Sequence, residues 1–222
     1  FLWKTQFPLH FYSGWIFNAG EGMPNIYDNI ELKLYESLEK SIQEATRADF
    51  CTGYFNLRGW DIIADEVDQL KGEVIQEKDG KVKRYCRLLI GMQRLPEEEL
   101  RIKYFGDADV MTNTKANELR KLAAEKFKKQ LQIGLPEDAG EIAVKKLLKQ
   151  LKEGRVVVKL QVREQLHAKL YITHKDHHLN KYACYLGSSN LTFSGLRGQG
   201  ELNIDVLDND AAQKLNKWFE DR

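Results

Sequence analysis

The stretch "LHAKLYITHKDHHLNKYACYLGSSNLTFSGL", residues 166–196, decides how the rest of the chain is read. It holds four of the chain's five histidines within twelve residues, and apolar runs flank its polar centre. A polar segment between two apolar runs predicts a β-hairpin, with strands at 167–173 and 182–188 joined by a histidine-rich turn. In a hairpin the start of one strand lies opposite the end of its partner. "HAK" and "GSSN" must therefore meet at one end. His174, His177 and His178 are expected in the turn at the other, facing solvent.

The two groups of histidines differ in chemistry. His167 and Lys169 stand at i and i+2 of a strand, so they share a face. A lone histidine is most often structural, but an imidazole beside an ammonium points to a shared anionic partner. Gly187, Ser188, Ser189 and Asn190 add small hydrogen-bonding groups at the opposing strand end, where side-chain and backbone donors can cradle a phosphate. His174, His177 and His178 with Asp176 supply donor types that suit zinc. However, an exposed turn with no Cys or Glu spaced to complete four ligands argues against a metal centre, and none is expected.

Outward from the hairpin, "RVVVKLQV" (155–162) and "ELNIDVL" (201–207) read as further strands, and "NDAAQKLNKWFED" (209–221) as a closing helix. The first 25 residues are aromatic-rich and irregular, with Gly20, Gly22 and Pro24 as breakers. Ile30, Leu34, Leu38 and Ile42 then recur at helical spacing, predicting a helix from Asp28 to about Arg47. Strand "ADFCTGYFN" (48–56), helix "GWDIIADEVDQL" (59–70) and strand "YCRLLIGM" (85–92) follow, with "QEKDGKVKR" (76–84) as a polar turn. Alternating helices and strands imply an α/β sheet with parallel neighbours. Helical segments at Glu97–Phe105, Asn117–Leu131 and Ala139–Leu151 read as a helical insertion, about 97–152, within a single domain spanning 1–222. No internal repeat is present.

Composition bounds the function classes. At 222 residues, 42% hydrophobic and 30% charged with a net charge of +1, the chain is long enough to bury a full core. No run approaches the roughly 18 apolar residues of a membrane span, and no leader-like segment is visible. The three scattered cysteines read as reduced core thiols of a cytoplasmic protein. Between Lys115 and Lys159 twelve Lys or Arg face six Asp or Glu. Such a run is either a solvated helical face or a basic flank for a phosphate-bearing partner. The ends, Phe1 and "LNKWFEDR", read as those of a piece of a longer protein.

The motif residues resemble the phospholipase D superfamily, whose signature is H-x-K, four residues, an Asp, then G-S or G-G near an Asn. His167, Lys169 and the run Gly187, Ser188, Ser189, Asn190 match it. Glu201, eleven residues past Asn190, opens the next strand, where nuclease-type members carry a glutamate. The string looks most like members found in restriction enzymes and at the N-terminus of bacterial helicase-like proteins. The position of the motif's Asp is occupied by His174, which counts mildly against lipid substrates and hardly against a nuclease.

The resemblance implies a mixed sheet flanked by helices and a metal-independent phosphodiesterase acting on DNA. It implies His167 as nucleophile through a covalent phosphohistidine, Lys169, Ser188 and Asn190 on the phosphate oxygens, and Glu201 orienting His167. It implies no cofactor. The superfamily uses two motifs per site and this chain has one, so a homodimer with the site at its interface is expected, with DNA as partner and a fused or associated helicase or ATPase. Two other readings stay open: a non-catalytic DNA-binding or dimerisation module of the same fold, and a phosphodiesterase for lipid or another small substrate.

Overall fold

A computed structural model describes residues 23–77, 80–91, 137–161, 166–177 and 180–222, with isolated helical positions between 121 and 131. Its strands are β1 (Ile26–Tyr27), β2 (Arg47–Thr52), β3 (Glu73–Glu77), β4 (Gly80–Arg84), β5 (Cys86–Gly91), β6 (Val156–Gln161), β7 (Leu170–His174), β8 (Tyr182–Gly187) and β9 (Asn203–Val206). The helices are α1 (Leu34–Gln43), α2 (Leu57–Asp61), α3 (Ala64–Gln69), α4 (Glu137–Lys152) and α5 (Asn209–Glu220), with a π-helical turn at Ser194–Gly198.

Seven strands form one mixed sheet in the order β1-β9-β8-β7-β2-β5-β6. β2, β5 and β6 run parallel, as the helix–strand alternation predicts, while β7 adds to β2 antiparallel and opens the expected hairpin with β8. Every residue of β2 is buried, which fits a central strand covered on both faces. On one face Phe50, Leu88 and Tyr171 pack with Leu38 of α1, Trp60 of α2 and Leu147 of α4. On the other, Cys51, Leu89, Leu170 and Ile172 lie under Ala212 and Phe219 of α5. All three cysteines are buried and unbonded.

Several element boundaries differ from expectation for local reasons. The helix expected from Asp28 begins only at Leu34. The Asp28 carboxylate accepts the amides of Ile30, Glu31 and Leu32 and closes a turn there, leaving Ile30 exposed. The segment 59–70 divides into α2 and α3 at Ile63, whose backbone leaves the helical region. The polar segment 76–84 belongs to a hairpin, β3–β4, tied by an Arg84–Glu77 ion pair and turned where Gly80 takes a positive φ of 124°.

Of the expected insertion, 97–136 lies almost wholly outside the described residues. Its last helix, α4, lies in the crossover between parallel β5 and β6, as two parallel neighbours require. Gln150 of α4 accepts from the Trp60 indole and donates to the Ala64 carbonyl.

Candidate active site

The end of β2, the approach to β7 and the exit from β8 converge at one end of the sheet. Strand β7 starts at Leu170, so His167 and Lys169 stand just before it rather than within it. Their segment is still held in place: the Lys169 carbonyl accepts from the Gly187 amide (3.3 Å), and the Ala168 carbonyl lies 3.7 Å from the Cys51 thiol. The Lys169 ammonium sits 2.8 Å from both ring nitrogens of His167 and donates to the His167 carbonyl at 2.9 Å. The imidazole and the ammonium thus meet, as the i, i+2 spacing implies.

Beneath them lies Gly53, where a Cβ would come within 2.8 Å of His167 Cδ2 and 3.3 Å of Asn190 Oδ1. Only a residue without a side chain lets the imidazole settle there. Tyr54 meets the His167 ring edge to face at 6.2 Å between centroids. Asn190 Oδ1 accepts from the Tyr54 amide (2.9 Å) and the Thr52 hydroxyl (3.3 Å), and Thr52 also accepts from the Leu191 amide. Asn190 therefore spends its oxygen on the end of β2, leaving its amide nitrogen as the group that can address an anion. Sequence reasoning missed Thr52, Gly53 and Tyr54. The signal was the "CTGYF" break in an apolar strand, where glycine marks a close approach of another group.

Charge at this end is lopsided. Burial lowers the pKa of His167, and the Lys169 charge lowers it further, which favours a neutral, nucleophilic imidazole. Lys169 is only 6% exposed; burial lowers its pKa too, against an opposing pull from Glu201. Glu201 accepts the Ser188 hydroxyl, and Ser188 accepts the Leu202 amide. Glu201 thus reaches the site through Ser188 and through its field at Lys169, with no hydrogen bond to His167 among the described residues.

The remaining motif residues point elsewhere. Ser189 is fully buried, its hydroxyl accepting from Asn203 and its carbonyl from Tyr171. Gly187 lets β9 approach, since a Cβ there would lie 2.3 Å from the Leu202 carbonyl oxygen. Their places in the motif are explained by packing, which leaves the Lys169 ammonium and the Asn190 amide nitrogen as the donors beside His167, while the Ser188 hydroxyl is engaged with Glu201.

His174 corrects the expectation that it faces solvent in the turn. It is the last residue of β7, 2% exposed, and its Nε2 lies 2.6 Å from Asp49 of β2. Arg47 and Arg87 complete the cluster around the same carboxylate, at 2.7 Å each. Burial alone would raise the Asp49 pKa, but the Arg87 and His174 hydrogen bonds and the Arg47 charge hold it well below the usual carboxylate range. Arg47 stands opposite His174 in the β2–β7 ladder, and Asp49, two residues along β2, bonds the histidine that fills the motif's Asp position. His177 lies exposed in the turn as expected and accepts from the Asn180 amide; His178 lies outside the described residues.

The family profile described as "Cardiolipin synthase, PLD-like domain" matches residues 38–222. The fold is similar to that of NucT from Helicobacter pylori, at 12% identity over 90% of this chain and 94% of that one, with a TM-score of 0.46. It is also similar to a phospholipase D family member, Nuc, from Salmonella typhimurium, at 10% identity over 90% and 93% of the chains, TM-score 0.47. Phosphatidylserine synthase of Haemophilus influenzae Rd KW20 is similar at 16% identity over 90% of this chain and 38% of that one, TM-score 0.46. No curated protein sequence matches the chain. Among the described residues no helix is long and apolar enough to cross a membrane.

Proposed function

Because the chain belongs to the phospholipase D-like domain family, we propose that it is a phosphodiesterase that cleaves DNA through a covalent phosphohistidine at His167 without a metal ion. The observation that carries the reading is the His167–Lys169 contact seated on Gly53 beside Asn190. It combines a neutral imidazole, a buried cation with no carboxylate bonded to it among the described residues, and an amide, all at one spot. That is the equipment for attack on a phosphodiester and for holding its oxygens.

In the first step an imidazole nitrogen of His167 attacks phosphorus, the P–N bond forms and the P–O bond to the leaving strand breaks. The leaving oxygen takes a proton from a general acid. In the second, water attacks the phosphohistidine, the P–N bond breaks and the same acid, now a base, accepts the water's proton. Lys169 and the Asn190 amide nitrogen hold the non-bridging oxygens through both steps, and Ser188 joins them where its hydroxyl turns from Glu201 to the phosphate. Glu201, through its charge, keeps Lys169 protonated.

The general acid is assigned to His167 of a second copy, since the chain carries one H-x-K. Support for a homodimer comes from one row of paired residues that crosses the sheet: Leu89, Cys51, Leu170, Leu186, Ile204 and Ile26. Leu89, Cys51 and Leu170 are buried under α5, but Leu186, Ile204 and Ile26 are 40%, 39% and 58% exposed beside the site end. An apolar edge next to a half-site suits a two-fold interface. The wider setting proposed is a restriction or helicase-linked system in the cytoplasm.

Plasmid nicking in EDTA tests the reading. Wild-type protein is expected to nick and His167→Ala to be inert; nicking that requires Mg²⁺ or survives the substitution overturns it. Sedimentation at micromolar concentration tests the dimer, which a fully active monomer refutes.

A further inference from the structure

Seven arginines fall among the described residues, and five are tied down by polar partners. Arg47, Arg84 and Arg87 bind carboxylates, and Arg155 and Arg222 bind backbone carbonyls. Arg58 and Arg197 have no polar partner among the described residues. Both are exposed, and each lies on an aromatic ring: Arg58 4.3 Å from the Phe193 centroid, Arg197 3.9 Å from that of Tyr35. A guanidinium stacked this way keeps its planar N–H edge turned outward.

The two stacks lie along one short piece of chain. Phe193 follows Asn190 by three residues and caps the π-helical turn Ser194–Gly198, which carries Arg197. Tyr35 stands on α1 against that turn, and Arg58 on α2 against its start. The arrangement is held stiffly. Asn29, itself buried, donates to the carbonyls of Gly195 and Gln199 at the two ends of the turn. Gly59 packs so closely that a Cβ would lie 2.5 Å from Thr192 Cα, and Asn56 caps α2 by accepting from the Gly59 amide. The segment after Asn190 thus displays cation and aromatic groups in pairs, fixed relative to the phosphate-handling residues.

We propose that the Arg58–Phe193 and Arg197–Tyr35 stacks form a track for an unpaired nucleic-acid strand leading away from the His167–Asn190 site. The arginine edges would take successive phosphates, and the aromatic groups would receive bases that have no partner strand. Stacking on side chains needs bases free on their faces, which a duplex does not offer. The proposal rests on the phosphodiesterase reading for the identity of the neighbouring site, but its binding surface is separate.

The test uses the full chain in a His167→Ala background, with a labelled single-stranded DNA of about 15 nucleotides, the matching duplex, and phosphatidylglycerol vesicles. The single strand is expected to bind tightest. Arg58→Ala and Arg197→Ala should each weaken it about 5- to 50-fold, and Arg58→Lys should restore only part of the loss. Phe193→Leu, checked by its melting curve, provides an aromatic variant that keeps the turn filled. Unchanged binding in both alanine variants overturns the track, as does equal or tighter binding of duplex or vesicles. Hydrolysis of bis(p-nitrophenyl) phosphate by the chain with His167 intact separates this from the catalytic reading. Hydrolysis with arginine variants that bind normally removes the track alone, whereas no hydrolysis with variants that lose the single strand removes the catalytic reading and supports the track.

Discussion

Strand β7 has a histidine near each end, His167 before it and His174 at its close, and the two live under opposite rules. The residues between them span ~20 Å at strand rise. His174 sits in a cluster where every charge has an answer: Asp49, fully buried, is bonded by Arg47, Arg87 and His174 at 2.6–2.7 Å, and Arg87 also pairs with Glu220 of α5. His167 meets a lysine instead, and neither forms an ion pair with a carboxylate among the described residues. Buried charges satisfied inside the fold depend on one another, because removing one partner leaves the rest uncompensated. Positive charge left without an anion at a strand end is available to a substrate, which is the physical difference between the two sites.

Exchanging the roles experimentally gives the largest expected effect. His167→Ala should reduce phosphodiester cleavage by about 10³-fold or more, with a melting temperature close to wild type. Asp49→Ala should do the converse. It strands two arginines and a histidine, and the expected loss of stability is about 3–5 kcal/mol by denaturant titration, with specific activity kept in the fraction that remains folded. If His167→Ala melts the protein, or Asp49→Ala silences a folded enzyme, the division between the two ends fails. The depressed Asp49 pKa also has a sign. The unfolded state binds the extra proton, so the cluster's stability is present above the ordinary aspartate pKa and is lost as pH falls below it. Wild type should therefore show a steeper acid limb of stability than Asp49→Ala.

Gly53→Ala probes the floor of the site, and a smaller effect is expected. The added methyl must displace the imidazole it would meet at 2.8 Å, and a shift near 1 Å is expected to lower cleavage about 10²-fold. This residue also marks where sequence reading stops. The hairpin and the meeting of "HAK" with "GSSN" followed from period-2 patterns and strand-end logic, and the parallel β2–β5–β6 half from helix–strand alternation, because those rules are local. At Gly53 and Thr52 the "CTGYF" break signals a close approach but not its partners, since His167 and Asn190 lie more than a hundred residues away. His174 was misplaced for the same reason: a histidine next to "KDHH" looks like turn, and only the β2–β7 pairing, which sets it opposite Arg47, lets its ring reach Asp49 two residues along β2. Ser189 looked like a phosphate ligand because the motif is a string of letters, whereas its side chain is buried just past β8 and bonded by Asn203.

The finest comparison concerns the charges around His167 itself. Burial and Lys169 both lower the His167 pKa, so the rate should rise with pH through an inflection below the ordinary histidine value of about 6.5. At the alkaline side the rate should fall in two steps, first as the second copy's His167 loses the proton it gives as general acid, then at higher pH as Lys169 loses its own. Burial moves that loss to lower pH, and Glu201 opposes it. Glu201→Gln removes the opposing charge while keeping a group that can accept from Ser188. The Lys169 step is then expected to move to lower pH, with both histidine steps, set by burial and Lys169, nearly in place. A group that merely supported structure would lower the rate at every pH without moving either limb. An orienting partner of His167 would shift the acid limb instead. The direction in which the profile moves therefore decides whether Glu201 works on the lysine, as its place beside Ser188 implies, or on the histidine.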